Sequence, residues 1–337
     1  MFSSDRILGI FFLSQTMVGV LGNSAMFTMY VHIFVAEPQQ KKPTDLILTH
    51  LTVTNTMTLL TQGVPEVMVA FGMKNIMDDG GCKVLCYIRR VARGLSICFT
   101  CLLSVFQAVT ISPRSSWWSQ FKPRASRYIL PSFFIFWISN LMIYTSLIES
   151  AQATNNITMT EHMYISKYCS TVPKSSEFTV LTLFTTTFGD VLLVFLMSWA
   201  SGHMVMVLHR HHRQVQHIRS SGRSPKSSTE TRAIHTILLL VSCFVCFYWL
   251  NSFINIYLSF VKGYEGEAQG TTAFLSSCFP SISPLVLITR DPRFPRPHCL
   301  IKKVKFPSPS GISSDVDITT QICSVSSVLW EDSSPLE

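Results

Sequence analysis

The chain has 337 residues, 47% of them hydrophobic and 14% charged, with a mean hydropathy of +0.33 and a net charge of +8. That balance is too apolar for an ordinary soluble domain and too polar between its apolar stretches for a simple anchor, so it describes one integral membrane domain. The basic residues gather beside the ends of apolar stretches, which points to anionic inner-leaflet lipid as their partner and away from nucleic acid.

Seven windows in chain order are almost free of charge: Ile7 to Ala36, Leu46 to Pro65, Gly94 to Pro113, Tyr128 to Ile148, Val191 to His209, Ala233 to Val261 and Ala268 to Thr289. A helix rising about 1.5 Å per residue needs roughly 20 apolar residues to cross about 30 Å of hydrocarbon. Each window reaches or nearly reaches that length, the fifth by running back through Asp190 to Thr179. In lipid every backbone amide must be bonded inside its own segment, which selects helices. The expected fold is an all-α membrane protein, a seven-transmembrane helix bundle with helices at about 8–35, 45–72, 83–112, 127–148, 179–208, 233–261 and 269–289. The first run is too long for the core of a cleavable signal peptide, so the first helix is expected to act as its own insertion signal.

Lysine and arginine accumulate on the cytoplasmic side of helical membrane proteins. With residues 1–7 outside, the inner loops hold about eighteen of the 27 Lys and Arg and the outer loops about six. This orientation puts the sequon Asn156-Ile157-Thr158 outside, where Asn156 can be glycosylated. Cys82 and Cys169 also face the oxidising side and are the expected disulfide, with Cys86, one turn deeper, as the competing partner. Cys98, Cys101, Cys243, Cys246 and Cys278 fall in apolar windows and are packing residues. Residues 291–337 turn basic and then Ser-rich, and are expected to form a disordered cytoplasmic tail. The histidines between His209 and His217 alternate with arginines that would repel a metal, so they mark a solvated basic helix end.

Arg89, Arg90 and Arg93 are the exception to the charge pattern, because they lie within the third span, seven to eleven residues past Cys82. Arginine keeps its charge, and at mid-bilayer it costs at least about 2.5–3.5 kcal/mol. Three such groups must therefore face the bundle interior or a wet cavity. Asp190 and Glu66 are the candidate counter-charges, and they leave one positive charge over. An internal ion-pair network and a site for a carboxylate or sulfate are the two readings, and the surplus charge favours the second. Tyr87, Trp249 and Tyr257 are candidate walls at a similar height. Paired carboxylates, a metal-binding His-Glu-x-x-His, a phosphate loop and a nucleophile elbow are all missing from the sequence, so neither an enzyme nor a cofactor is expected.

The third span also carries specific text. Arg93-Gly94-Leu95-Ser96-Ile97, followed by Leu102 to Pro113, resembles the vomeronasal type-1 pheromone receptors. His209 to Ile218, Arg232-Ala233-Ile234-His235-Thr236 and Ser276 to Pro284 are similar to the same family, and the resemblance runs from about residue 8 to 295. It implies a G-protein-coupled receptor of the plasma membrane, activated by small pheromone-like ligands, sulfated steroids among them. Heterotrimeric G protein would then meet the basic inner loops at Arg114, Lys122, Arg124, Arg210 and Arg213. Leu21-Gly22-Asn23 is shared with rhodopsin-like receptors generally, but Asp-Arg-Tyr, Cys-Trp-x-Pro and Asn-Pro-x-x-Tyr are not found, so their switch assignments do not carry over. Asn55 stands where those receptors often have an acid. The competing readings are a bitter-taste-like receptor, disfavoured by the third-span text, and an anion transporter or channel, disfavoured because seven spans do not split into two equal repeats.

Overall fold

The computed structural model describes residues 2–73, 76–113, 120–146, 148, 151–153, 164–165, 168–171, 176–219, 228–260, 265–291, 293, 299–303 and 319–323. Among them are seven long helices: α1 (Phe2–Val35), α2 (Pro43–Ala70), α3 (Asp79–Ile111), α4 (Lys122–Ile143), α5 (Ser176–Arg219), α6 (Ser228–Phe260) and α7 (Glu265–Arg290). Six of the seven are long and apolar enough to cross a membrane by composition. The other is α2, whose buried face carries Thr52, Thr54, Asn55, Thr58, Gln62 and Glu66. Asn156, Arg114 and the linker 220–227 lie outside the described residues.

Local chemistry sets several helix ends. Pro43 opens α2, where a missing amide hydrogen costs nothing, and the Asp45 carboxylate accepts the Lys42 amide at 2.8 Å. The same helix stops at Gly72, with φ +90°, where the Gly72 amide bonds Val69 O at 2.9 Å and the Met73 amide bonds Met68 O at 3.0 Å. This pair of bonds satisfies two of the last carbonyls and requires a left-handed residue, the role glycine fills. Asp78 caps α3 by accepting the Gly81 amide at 2.8 Å. At its other end α3 gives way at Ser112, just before Pro113.

The helices depart from the charge-free windows where lipid length and helix length differ. α5 continues eleven residues past the expected end at 208, and α6 begins five residues before 233. Basic and polar residues end a membrane window without ending a helix, and the sequence offers no glycine or proline between His203 and Arg219 to stop it. α4 behaves differently, starting at Lys122 and passing into a 3-10 turn at Tyr144–Ser146.

α3 sits centrally, packed on α2, α4, α5 and α6, while α1 packs on α2 and α7. Polar side chains join α1, α2 and α7. Pro284 has no amide hydrogen to give Pro280 O one turn earlier, and Asn23 of α1 supplies the missing donor from Nδ2 at 2.9 Å. Asn55 of α2 donates to Ser283 Oγ at 2.9 Å, and Gln62 to Ala273 O at 2.6 Å. Gly19 and Gly22 permit this approach, since a Cβ would come within 2.6 Å of Leu59 Cδ1 at the first and 2.9 Å of Pro284 Cγ at the second.

Between α4 and α5 three short strands, β1 (Ala151–Ala153), β2 (Tyr164–Ile165) and β3 (Cys169–Thr171), form an antiparallel sheet with β3 in the middle. β1 packs on α3. Residues 291–337 form a separate unit. There β4 (Cys299–Lys303) pairs antiparallel with β5 (Thr319–Cys323), Ile301 opposite Gln321, within a stretch whose composition points to a disordered tail. Both segments contain β-branched residues, Ile301 in the first and Thr319, Thr320 and Ile322 in the second, which suit a paired strand.

Candidate functional site

The Cys82–Cys169 disulfide forms, with Cα atoms 5.7 Å apart, and Cys86 remains a free thiol. It ties the strand segment to the start of α3. Tyr168 is buried beside it with Val69, Ile76, Met77, Leu85 and Cys86 packed around. Tyr168 also reaches down to α2, its hydroxyl 3.4 Å from Glu66 Oε1 in a position where Glu66 is only 9% exposed. Glu66 therefore belongs with the covering segment as well as with the charge balance of the bundle.

Deeper in, the structure brings α3, α5 and α6 together through charge. Arg93 Nη2 lies 4.0 Å from Asp190 Oδ2, the two side chains being 37% and 19% exposed. Tyr248 of α6 completes the group: its hydroxyl donates to the same Asp190 oxygen at 3.2 Å, and its ring lies under the Arg93 guanidinium, 5.6 Å from centroid to Cζ. A cation over an aromatic face and a phenol bonded to a carboxylate reinforce each other, since each places Tyr248 between opposite charges. Phe244, one turn away on α6, stacks on Tyr248 and meets Phe279 of α7 edge-on, so the tyrosine is anchored from below by an apolar shelf.

The other candidates divide. Arg89 lies one turn before Arg93 on the same face and is half-buried, whereas Arg90 is exposed. Tyr87 turns toward α4, its hydroxyl donating to Leu141 O at 2.9 Å. Trp249 is 58% exposed and is not brought to the cluster. It follows Tyr248 directly, and successive residues point about 100° apart around a helix, so the two rings cannot both face Arg93. Tyr257 lies on α6 with its side chain outside the described set. Tyr248 and Tyr168 join the site without standing out in the sequence. The available signal was chemical: a buried carboxylate needs donors, and a tyrosine on a facing helix can supply one.

At the opposite end of the bundle from the disulfide, Lys122 and Arg124 at the start of α4 are exposed, as are Arg210 and Arg213 on the extension of α5.

A sequence profile of the vomeronasal organ pheromone receptors matches residues 6–299. The chain belongs to the vomeronasal organ pheromone receptor family. This receptor is 39% identical over 283 residues to vomeronasal type-1 receptor 4 of Homo sapiens, an alignment covering 83% of this chain and 93% of that one. It is 41% identical over 284 residues to vomeronasal type-1 receptor 2 of Homo sapiens, covering 83% and 71%. With olfactory receptor class A-like protein 1 of Danio rerio it shares 37% identity over 286 residues, covering 85% and 89%. Among solved structures, squid rhodopsin superposes with a TM-score of 0.63 at 17% identity, covering 87% of this chain and 84% of that one. At that identity the match establishes the shared seven-helix fold. The receptor is thus a multi-pass membrane protein of a chemosensory family.

Proposed function

We propose that this protein is a plasma-membrane chemosensory receptor, N-terminus outside, that binds small pheromone-like anions such as sulfated steroids within its helix bundle and activates a heterotrimeric G protein. The observation that carries the reading is Arg93, a permanent cation inside the bundle whose carboxylate neighbour is at the limit of ion-pair distance. Its guanidinium keeps planar donors for a sulfate or carboxylate, the geometry that fork recognises best. Arg89 on the same face adds positive charge beside Arg93. Tyr248 and Phe244 offer the apolar wall that a steroid skeleton needs. The segment held by Cys82–Cys169 and Tyr168 would cover the entrance, and Asn156 would carry its glycan on the same outer side. On the inner side the exposed Lys122, Arg124, Arg210 and Arg213, with Arg114, would receive the G protein.

The test is a panel of acidic and neutral steroids applied to cells that express the receptor with a G-protein activation reporter. Acidic ligands are expected to activate, and Arg93→Ala to abolish that response with surface delivery intact. Unchanged potency in Arg93→Ala would reject the binding role. Current across a membrane free of G protein would support an anion channel instead.

A further inference from the structure

We infer that Asp190 is a built-in stand-in for the ligand's acidic group, and that Arg93, Asp190 and Tyr248 form a latch across α3, α5 and α6 which an arriving anion opens by taking Asp190's place. The inference rests on the reading above, in which an anion reaches Arg93.

The chemistry of the cluster is that of a bound ligand supplied in cis. Asp190 presents a carboxylate to Arg93 from one side while Tyr248 donates to the same oxygen, Oδ2. The pairing is loose: 4.0 Å separates the charged atoms, whereas a direct guanidinium–carboxylate contact runs at about 2.7–2.9 Å in a two-bond fork. An external sulfate able to reach that shorter distance holds the advantage in the exchange. The Arg93 guanidinium also lies over the Tyr248 ring, so any anion that draws it toward itself alters both contacts of Tyr248 at once.

The consequence follows from linkage. A closed latch and a bound anion compete for one cation, so each disfavours the other by the same free energy. A ligand shifts an equilibrium only through its differential affinity for the two states. If the anion activates, the arrangement joined by Arg93, Asp190 and Tyr248 is the resting one, and losing the latch releases α6 from α3 and α5. A straight helix turning about a point near Tyr248 moves most at its far end. His235 lies thirteen residues from Tyr248, about 20 Å along the axis, and is exposed.

The experiment uses the full-length receptor in lipid nanodiscs without added ligand, carrying fluorescent non-natural amino acids at His235 on α6 and at Arg127 on α4, a helix outside the latch. The distance distribution between the two labels is measured for the unsubstituted latch, Asp190→Asn, Tyr248→Phe, Arg93→Ala and the Arg93→Ala/Asp190→Asn pair. Asp190→Asn is expected to raise the population of the shifted arrangement about tenfold, the scale set by a charge-assisted contact, and Tyr248→Phe by a smaller factor in the same direction. The double variant should shift by clearly less than the sum of the two singles, because both remove the shared Arg93–Asp190 contact. Distributions that match the unsubstituted latch in both Asp190→Asn and Tyr248→Phe would overturn the proposal, as would additive shifts in the pair. Should Asp190→Asn fail to fold, Tyr248→Phe alone decides by the same criterion. The readout needs no G protein, so a moved α6 in a receptor that does not signal would sink the coupling reading and leave the latch standing.

Discussion

Replacing Asn23 by alanine tests the polar joint between α1 and α7. Asn23 Nδ2 donates to Pro280 O at 2.9 Å and to Gly19 O at 2.8 Å, and its Oδ1 lies 3.4 Å from Asn55 Nδ2. Pro280 O faces the ring nitrogen of Pro284, which has no hydrogen to give, so without Asn23 this buried carbonyl loses its donor. A hydrogen bond between membrane helices contributes about 0.6 kcal/mol and at most about 1.7. Leaving a buried acceptor unsatisfied adds about 1–3 kcal/mol, so Asn23→Ala should cost about 2–4 kcal/mol in total. At about 2–4 °C per kcal/mol the midpoint should fall by roughly 4–16 °C. Cys98, Cys101 and Cys278 are buried free thiols, so a thiol-reactive fluorophore reports unfolding in detergent without a ligand. Thr28→Ala is the control, because the Thr28 hydroxyl bonds only Ser24 O within α1 on an exposed face. Pro284→Ala restores an amide hydrogen opposite Pro280 O and should recover part of the loss when combined with Asn23→Ala. A midpoint for Asn23→Ala within a degree of the control, or no coupling between the two substitutions, refutes this account.

Opening the Cys82–Cys169 bond with Cys82→Ser frees a span of 87 residues, and the chain-entropy value for a loop of that size, about 4–5 kcal/mol, is an upper limit because inserted helices already restrict the chain; thermal midpoint and surface delivery should both fall. Gly94→Val puts a side chain where Asn140 Oδ1 and Cγ already sit, so it should separate α3 from α4 and reduce folded receptor at the surface by several-fold in flow cytometry. Trp249→Ala should leave ligand potency unchanged, since the ring is directed away from the Arg93 cluster; a loss of tenfold or more would show that α6 presents Trp249 to the site.

How much of this was legible in the sequence differs from element to element. Span count came from charge-free length alone, and it held even for α2, whose threonines and amides lower its hydropathy because they face other helices. The cysteine pair was readable from compartment. Arg93 and Asp190 could be placed at similar depth by counting residues along two helices. Rotation about each helix axis was not readable. A soluble helix declares its buried face by amphipathicity, but lipid and bundle core are both apolar, so α6 carries hydrophobic residues all round and its sequence points to Trp249 as readily as to its neighbour Tyr248, which faces the cluster.

Sequence by itself thus determined the all-α, seven-helix membrane fold and that cationic groups lie within the third helix, because length, charge and backbone satisfaction in lipid leave little choice. Tertiary structure decided which side chains meet. Asn23 answers a proline on α7, Tyr248 joins Arg93 to Asp190, and Tyr168 reaches Glu66. Each of these depends on close packing between helices that are far apart in the chain, where a turn of a few tens of degrees exchanges one partner for another.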